Sequence, residues 1–176
     1  MIRTLVALSV FTGILFAQRS VPPEYSHHRV WAVVPLIGAG TDADPRRPML
    51  VPAPDQQPTT ERPDLLSYQM QLSDDGKWAL VEFVFHSPLA FHNFLVQASA
   101  SPNLGVAAPA LQPISSDGSD LKALSANTAA LKNAFEAAIP GLKLFERGKA
   151  APADILTEFR KHKATYTFAS VSGAIQ

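Results

Sequence analysis

The clearest pattern of apolar and polar positions begins at residue 66. Leu66, Tyr68, Met70 and Leu72 alternate with Ser67, Gln69 and Gln71, the period of two that turns one face of a strand to a core and the other to water. Ser73-Asp74-Asp75-Gly76 supplies turn residues, Gly76 being free to take positive φ. Lys77 to Phe85 then returns as the second strand of a hairpin. It is apolar on both faces, with Ala79, Val81, Phe83 and Phe85 on one and Trp78, Leu80 and Val84 on the other, so it belongs in the middle of a sheet. Val30 to Ile37 is rich in β-branched residues and predicts another strand, which Pro35 assigns to an edge or a bulge.

Helical spacing appears further on. Ser87-Pro88 fits a helix start, cap followed by first helical residue. Phe91, Leu95 and Ala98 then share a face, although the aromatic and β-branched run Phe91 to Val96 also suits a strand. Ala100 to Gly118 reads as a long surface loop. From Asp120 to Ala138, Leu121, Leu124, Thr128, Leu131, Phe135 and then Ile139 recur at steps of three and four, and Pro140-Gly141 stops the helix. Leu142 to Phe145 predicts a short strand. Pro152 opens a helix whose Ile155, Leu156 and Phe159 face inward, with Asp154 in its first turn and Arg160, Lys161 and Lys163 near its end to complement the dipole. Thr165 to Val171 can close the sheet.

This order predicts an α+β fold, a two-layer sandwich of a mostly antiparallel sheet and about three helices over residues 64–176. A proline-rich extended arm, residues 18–63, precedes it and carries one strand. Nine prolines fall between positions 22 and 63, and each fixes φ and removes a backbone donor. Ahead of the arm, Arg3 is the only charge in residues 1–17, and the mostly apolar run Thr4 to Phe16 ends at Ala17. That is the order of a secretory signal peptide, with cleavage expected after Ala17, near enough to be shifted a few positions by the large Leu15. The run is shorter than a spanning helix and holds Gly13, so no stable membrane span is expected once it is removed, and the mature protein is expected to be periplasmic or extracellular.

Composition narrows the partners more than the activity. At 176 residues, 47% of them apolar and 17% charged, the chain is one folded domain rather than a disordered one. Fifteen Lys and Arg balance fifteen Asp and Glu. Without the basic excess that drives phosphate binding, nucleic acid is set aside as a partner. The absence of cysteine excludes disulfides, thiolate metal sites, thiol nucleophiles and a lipidated N-terminal cysteine.

Candidate chemistry is sparse. No Gly-x-Ser-x-Gly elbow, His-Glu-x-x-His, P-loop or EF-hand pattern occurs, and no cofactor is implied. Gly38-Ala39-Gly40-Thr41 is glycine-rich, but Asp42, Asp44, Pro45 and Pro48 follow where a phosphate loop needs a helix. Asp42 and Asp44 supply two carboxylates toward a metal, short of the ~6–8 oxygens calcium takes; Arg46 and Arg47 are the alternative partners for them. Glu82, on an otherwise apolar strand face, is either a tuned acid or the partner of a cross-strand cation. Adjacent His27 and His28 point to opposite faces of a strand and share no metal without a turn. If the strand runs on to His86 and the chain reverses at Pro88, Glu82, His86 and His92 form a candidate catalytic trio. Leu142 to Lys163 is mildly basic. Trp78, Phe83, Phe85, Phe91 and Phe94 either line a ligand pocket or make the core.

These features favour an exported, non-catalytic protein that binds another macromolecule, a protein or an envelope component, or assists envelope assembly. On that basis deletion of residues 20–63 leaves residues 64–176 folded and abolishes complex formation. The alternatives are a small exported hydrolase using Glu82, His86 and His92, and a small-ligand-binding domain.

Overall fold

The computed structural model describes residues 27–52, 64–146 and 148–164. The expected signal at 1–17, the arm beyond Pro52, Arg147 and the expected strand Thr165–Val171 lie outside the described residues. The elements, in chain order, are β1 (His28–Ile37), β2 (Arg47–Pro48), β3 (Leu65–Leu72), β4 (Trp78–Phe85), α1 (Pro88–Ser99), a short 3-10 turn (Pro102–Leu104), α2 (Leu121–Ala138), β5 (Lys143–Glu146) and α3 (Pro152–Arg160).

The α+β architecture is the one the pattern predicts. All strand pairs are antiparallel, in the order β2-β1-β4-β3, with β5 also against β1. The hairpin β3–β4 forms as expected, and its doubly apolar second strand lies centrally between β1 and β3. Two helices cover one face. There Phe91, Phe94 and Leu95 of α1 and Leu131 and Phe135 of α2 meet Val30, Ala32 and Val34 of β1 and Ala79, Val81, Phe83 and Phe85 of β4. On the opposite face α3 lays Ile155, Leu156 and Phe159 on Trp31, Val33 and Leu80.

Local signals set the helix starts. The Ser87 side chain accepts from Ala90 N and Asp120 from Ala123 N, each satisfying a first-turn donor that has no helical partner. The segment Phe91–Val96 is helical, so the cap and Pro88 outweigh its β-branched content. The long loop 100–118 gains the 3-10 turn and is fastened to α2: Asn127 takes Gln112 N on its Oδ1 at 2.9 Å and donates Nδ2 to Gln112 O at 2.8 Å.

Strand β1 departs from the expectation of an edge. It pairs with β4 from His28 to Pro35 and, on its other side, with β5 from Val30 to Val33 and with β2 at Leu36 and Ile37. Proline is accommodated by the alternation of the ladder. Leu36 N donates to Lys77 O, just ahead of β4, so residue 35 directs its backbone groups to the other side. There it lies between the ends of β5 and β2 and needs only a carbonyl, which accepts from Met49 N at 3.0 Å. Residues 28–37 are thus part of the sheet, and Leu50 and Val51 are buried in the main core.

Candidate functional site

A groove of about 710 Å³ lies beside the end of α1. Its wall on one side is the first half of β3, with Leu65, Leu66 and Tyr68; on the other are Phe94 and Ala98 of α1, with Leu50 and Leu104 closing the ends. Two local features open it. Small residues end the helix, since Ala98, Ser99, Ala100 and Ser101 follow the bulkier Phe94 and Leu95, so the last turn does not fill the space over β3. The β3–β4 register also shifts between Leu65 and Ser67, a bulge that re-aims Leu66. Among the described residues of the lining Asp64 is the only acidic or basic one, and its Oδ2 accepts from Gln97 Nε2 at 3.2 Å.

The sequence directed attention to other residues. Glu82 lies on the α3 face of β4 and takes the cross-strand cation: Arg29 Nη1 donates to its Oε1 at 2.9 Å. His86 is exposed just past β4, with its ring 6.4 Å from that of His27. His92 is buried in α1, which packs on the opposite face of the sheet from Glu82. The sheet therefore separates Glu82 from His92, and no group of three metal-ligating side chains occurs among the described residues.

In the glycine-rich loop the anion is internal. Asp44 Oδ2 accepts from Ala39 N at 2.9 Å, and its carbonyl accepts from Gly40 N and Thr41 N. Its Oδ1 pairs with Arg47 at 2.6 Å, and these bonds hold the Asp44 carboxyl below its ordinary pKa, the Arg47 contact first. Both carboxylate oxygens are thus committed, and Asp42 is an exposed neighbour in the same turn. In the basic stretch 142–163 the lysines are likewise paired: Lys143 with Glu136, Lys149 with Glu146, Lys161 with Glu158 and Lys163 with Asp75.

Of the five aromatic residues, Phe83, Phe85 and Phe91 are core, with Phe85 5.1 Å from Phe91 and 5.3 Å from Phe94 between ring centroids. Trp78 stacks on His162 at 3.6 Å, on the α3 side of the sheet. Only Phe94 reaches the groove. Of the other lining residues, Leu65 and Leu104 were not singled out by the sequence, and Tyr68 and Ala98 only as positions of a strand and a helix pattern. Its one signal for them is the run of small residues after an aromatic helix.

Three histidines carry a measurable consequence. Burial lowers the pKa of His28, with Glu146 opposing and Lys149 reinforcing it; burial lowers that of His92; and burial lowers that of His162 against the raising effect of the Gly141 backbone. His28 Nε2 and His92 Nδ1 are buried without a hydrogen-bond partner. Each group has a folded pKa below its unfolded value of about 6.5, so the unfolded chain binds more protons. Stability is then complete above that value and declines as pH falls through it. The melting temperature should hold steady from about pH 8 to 7 and drop as the pH falls below about 6.5, before the depressed carboxylates Asp44, Asp75 and Asp117 protonate. A melting temperature independent of pH over that window contradicts the burial of these imidazoles.

Comparison of the chain with protein-family models, curated proteins and solved structures finds no match.

Proposed function

We propose that this is an exported, non-catalytic protein that binds another macromolecule, a protein or an envelope component, through the groove between α1 and β3. The observation that carries the proposal is the groove itself, a wide apolar recess with one carboxylate at its rim. Apolar recesses with few polar groups are the usual form of a binding site. Partly buried Leu65, Leu104 and Tyr68 offer area to a partner without strain, because burying apolar surface contributes about 25 cal/mol per Å². Ionisable side chains that a hydrolase needs pooled are instead spent on ion pairs with structural neighbours, as Glu82 is with Arg29. No helix among the described residues is long and apolar enough to cross a membrane.

Photo-crosslinking in the producing cell tests the proposal. A benzoylphenylalanine placed at exposed Gln97, on the groove, should give an adduct of higher mass. The same probe at exposed Leu121, at the start of α2 and outside the lining, should not. Ala98→Glu, which puts a charge inside the groove, should abolish the adduct. Equal adducts at both positions, or none at Gln97, overturn the groove as the binding surface, and an intact Met1 on protein recovered from the cytosol overturns export.

A further inference from the structure

The ladder between β1 and β4 ends in two histidines. His28 stands opposite Phe85, and the next pair outward is His27 with His86, their ring centroids 6.4 Å apart and their planes at 51°. Leu36 N donates to Lys77 O, so even-numbered residues of β1 form the hydrogen-bonded pairs with β4 and odd-numbered ones the closer pairs between them. His27 and His86 belong to the second class. There the backbones approach to about 4.5 Å, and side chains on one face meet directly.

The two rings share a face and are uncommitted. Trp31 and Val33 of β1 and Leu80 of β4 lie on the α3 side of the sheet, and alternation puts both imidazoles on that side, at the end of the strands. Both residues are exposed. Neither ring makes a hydrogen bond among the described residues. The neighbouring cation on that face, Arg29, is held by Glu82 at 2.9 Å, which offsets a charge that would repel a metal ion. His28 turns to the opposite face, where its ring lies 5.5 Å from that of Phe91.

We propose that His27 and His86 chelate a divalent transition-metal ion, with water in its remaining positions. Neutral imidazole is a ligand for Cu2+, Ni2+ and Zn2+. An ion about 2.0–2.1 Å from one nitrogen of each ring sets the centroids about 5–6.5 Å apart, so the observed spacing needs only a small turn of either ring. The paired strands fix the separation of the ligands before the ion arrives, which limits the ordering cost of binding. With no cysteine in the chain, no thiolate draws the ion elsewhere, and Cu2+ binds tightest by the usual order for nitrogen ligands. No third metal-ligating side chain joins the pair among the described residues. Coordination positions are therefore open to a donor from another molecule.

The test uses the full untagged mature chain and Cu2+, Ni2+ and Zn2+ as chloride salts. Calorimetric titration should give one ion per chain, Cu2+ the tightest. His27→Ala and His86→Ala should each weaken Cu2+ by about tenfold or more, because a single imidazole forms no chelate. His28→Gln, next in sequence but on the other face, should leave it unchanged. Paramagnetic Cu2+ should first broaden the NMR signals of His27, His86 and their strand neighbours. The ion should raise the melting temperature of the parent chain and not that of the two alanine variants, whose metal-free melts stay near the parent value because the side chains removed are exposed.

Absence of saturable binding overturns the proposal, as does affinity that survives both alanine substitutions or broadening centred on His92 or His162. An equal loss in His28→Gln overturns the assignment to this pair. The outcome is separate from that of the groove: a Gln97 adduct without metal binding removes only the metal site, and metal binding without an adduct removes only the groove.

Discussion

A chain that begins at residue 64 should fail to fold. Strand β1 stands between β4 on one side and β5 on the other, and Val30, Ala32, Val33 and Val34 are fully buried, with Trp31 6% exposed. Even-numbered residues of the strand enter the core under α1 and α2, and odd-numbered ones the core under α3. Removing residues 27–52 takes material from both. At about 1.5–3 kcal/mol for each large buried side chain, the loss reaches about 10 kcal/mol, comparable with the whole stability of an ordinary domain. The β4 ladder also loses every partner on its β1 side. The truncated chain should show no cooperative thermal transition and little amide dispersion in NMR spectra. A cooperative melt of residues 64–176 alone requires that the core close without β1, contrary to the register.

That outcome reverses the expectation of a separable arm, and the reason is physical. Val30-Trp31-Ala32-Val33-Val34 lacks alternation, the same two-faced apolar signature that placed β4 centrally. Pro35 outweighed it, because a central strand ordinarily needs every donor. The structure satisfies both by leaving Pro35 between the ends of β5 and β2, a tertiary arrangement that one strand's sequence does not encode.

Elements fixed by short-range chemistry were legible. The hairpin follows from alternation plus Gly76, α1 from the cap Ser87 with Pro88, α2 from apolar steps of three and four that Pro140-Gly141 stops, and α3 from Pro152 and its inward Ile155, Leu156 and Phe159. The cross-strand cation expected for Glu82 is Arg29. The site was not legible in this way. Its groove depends on where the small end of α1 comes to rest over a bulged strand, a relation between segments far apart in the chain. The grouping of Glu82, His86 and His92 failed for the same reason: spacing does not say that the helix carrying His92 crosses the opposite face.

Gly141→Ala should be among the most damaging single substitutions in the chain, and far worse than Gly148→Ala. Gly141 has φ +88° and Gly148 +79°, so a side chain at either sits in backbone that L-residues avoid, at about 1–2 kcal/mol. Their surroundings differ. A Cβ at Gly148 meets nothing within 4 Å, whereas at Gly141 it falls 2.7 Å from His162 Cε1 and 2.9 Å from Trp78 Cη2. Those two rings are stacked at 3.6 Å. Trp78 packs against the α3 core, so its ring does not withdraw without opening a gap there. Overpacking of this kind adds about 1–3 kcal/mol. Urea midpoints should therefore fall modestly for Gly148→Ala and about twice as far for Gly141→Ala. Indole emission separates the causes. In the native protein an imidazolium against Trp78 quenches it as His162 protonates, at a pH below the ordinary histidine value because burial lowers its pKa. Gly141→Ala should flatten that pH response while Gly148→Ala leaves it intact. Equal midpoints and equal emission profiles mean that the ring pair yields freely, and that residue 141 tolerates a side chain as readily as open solvent does.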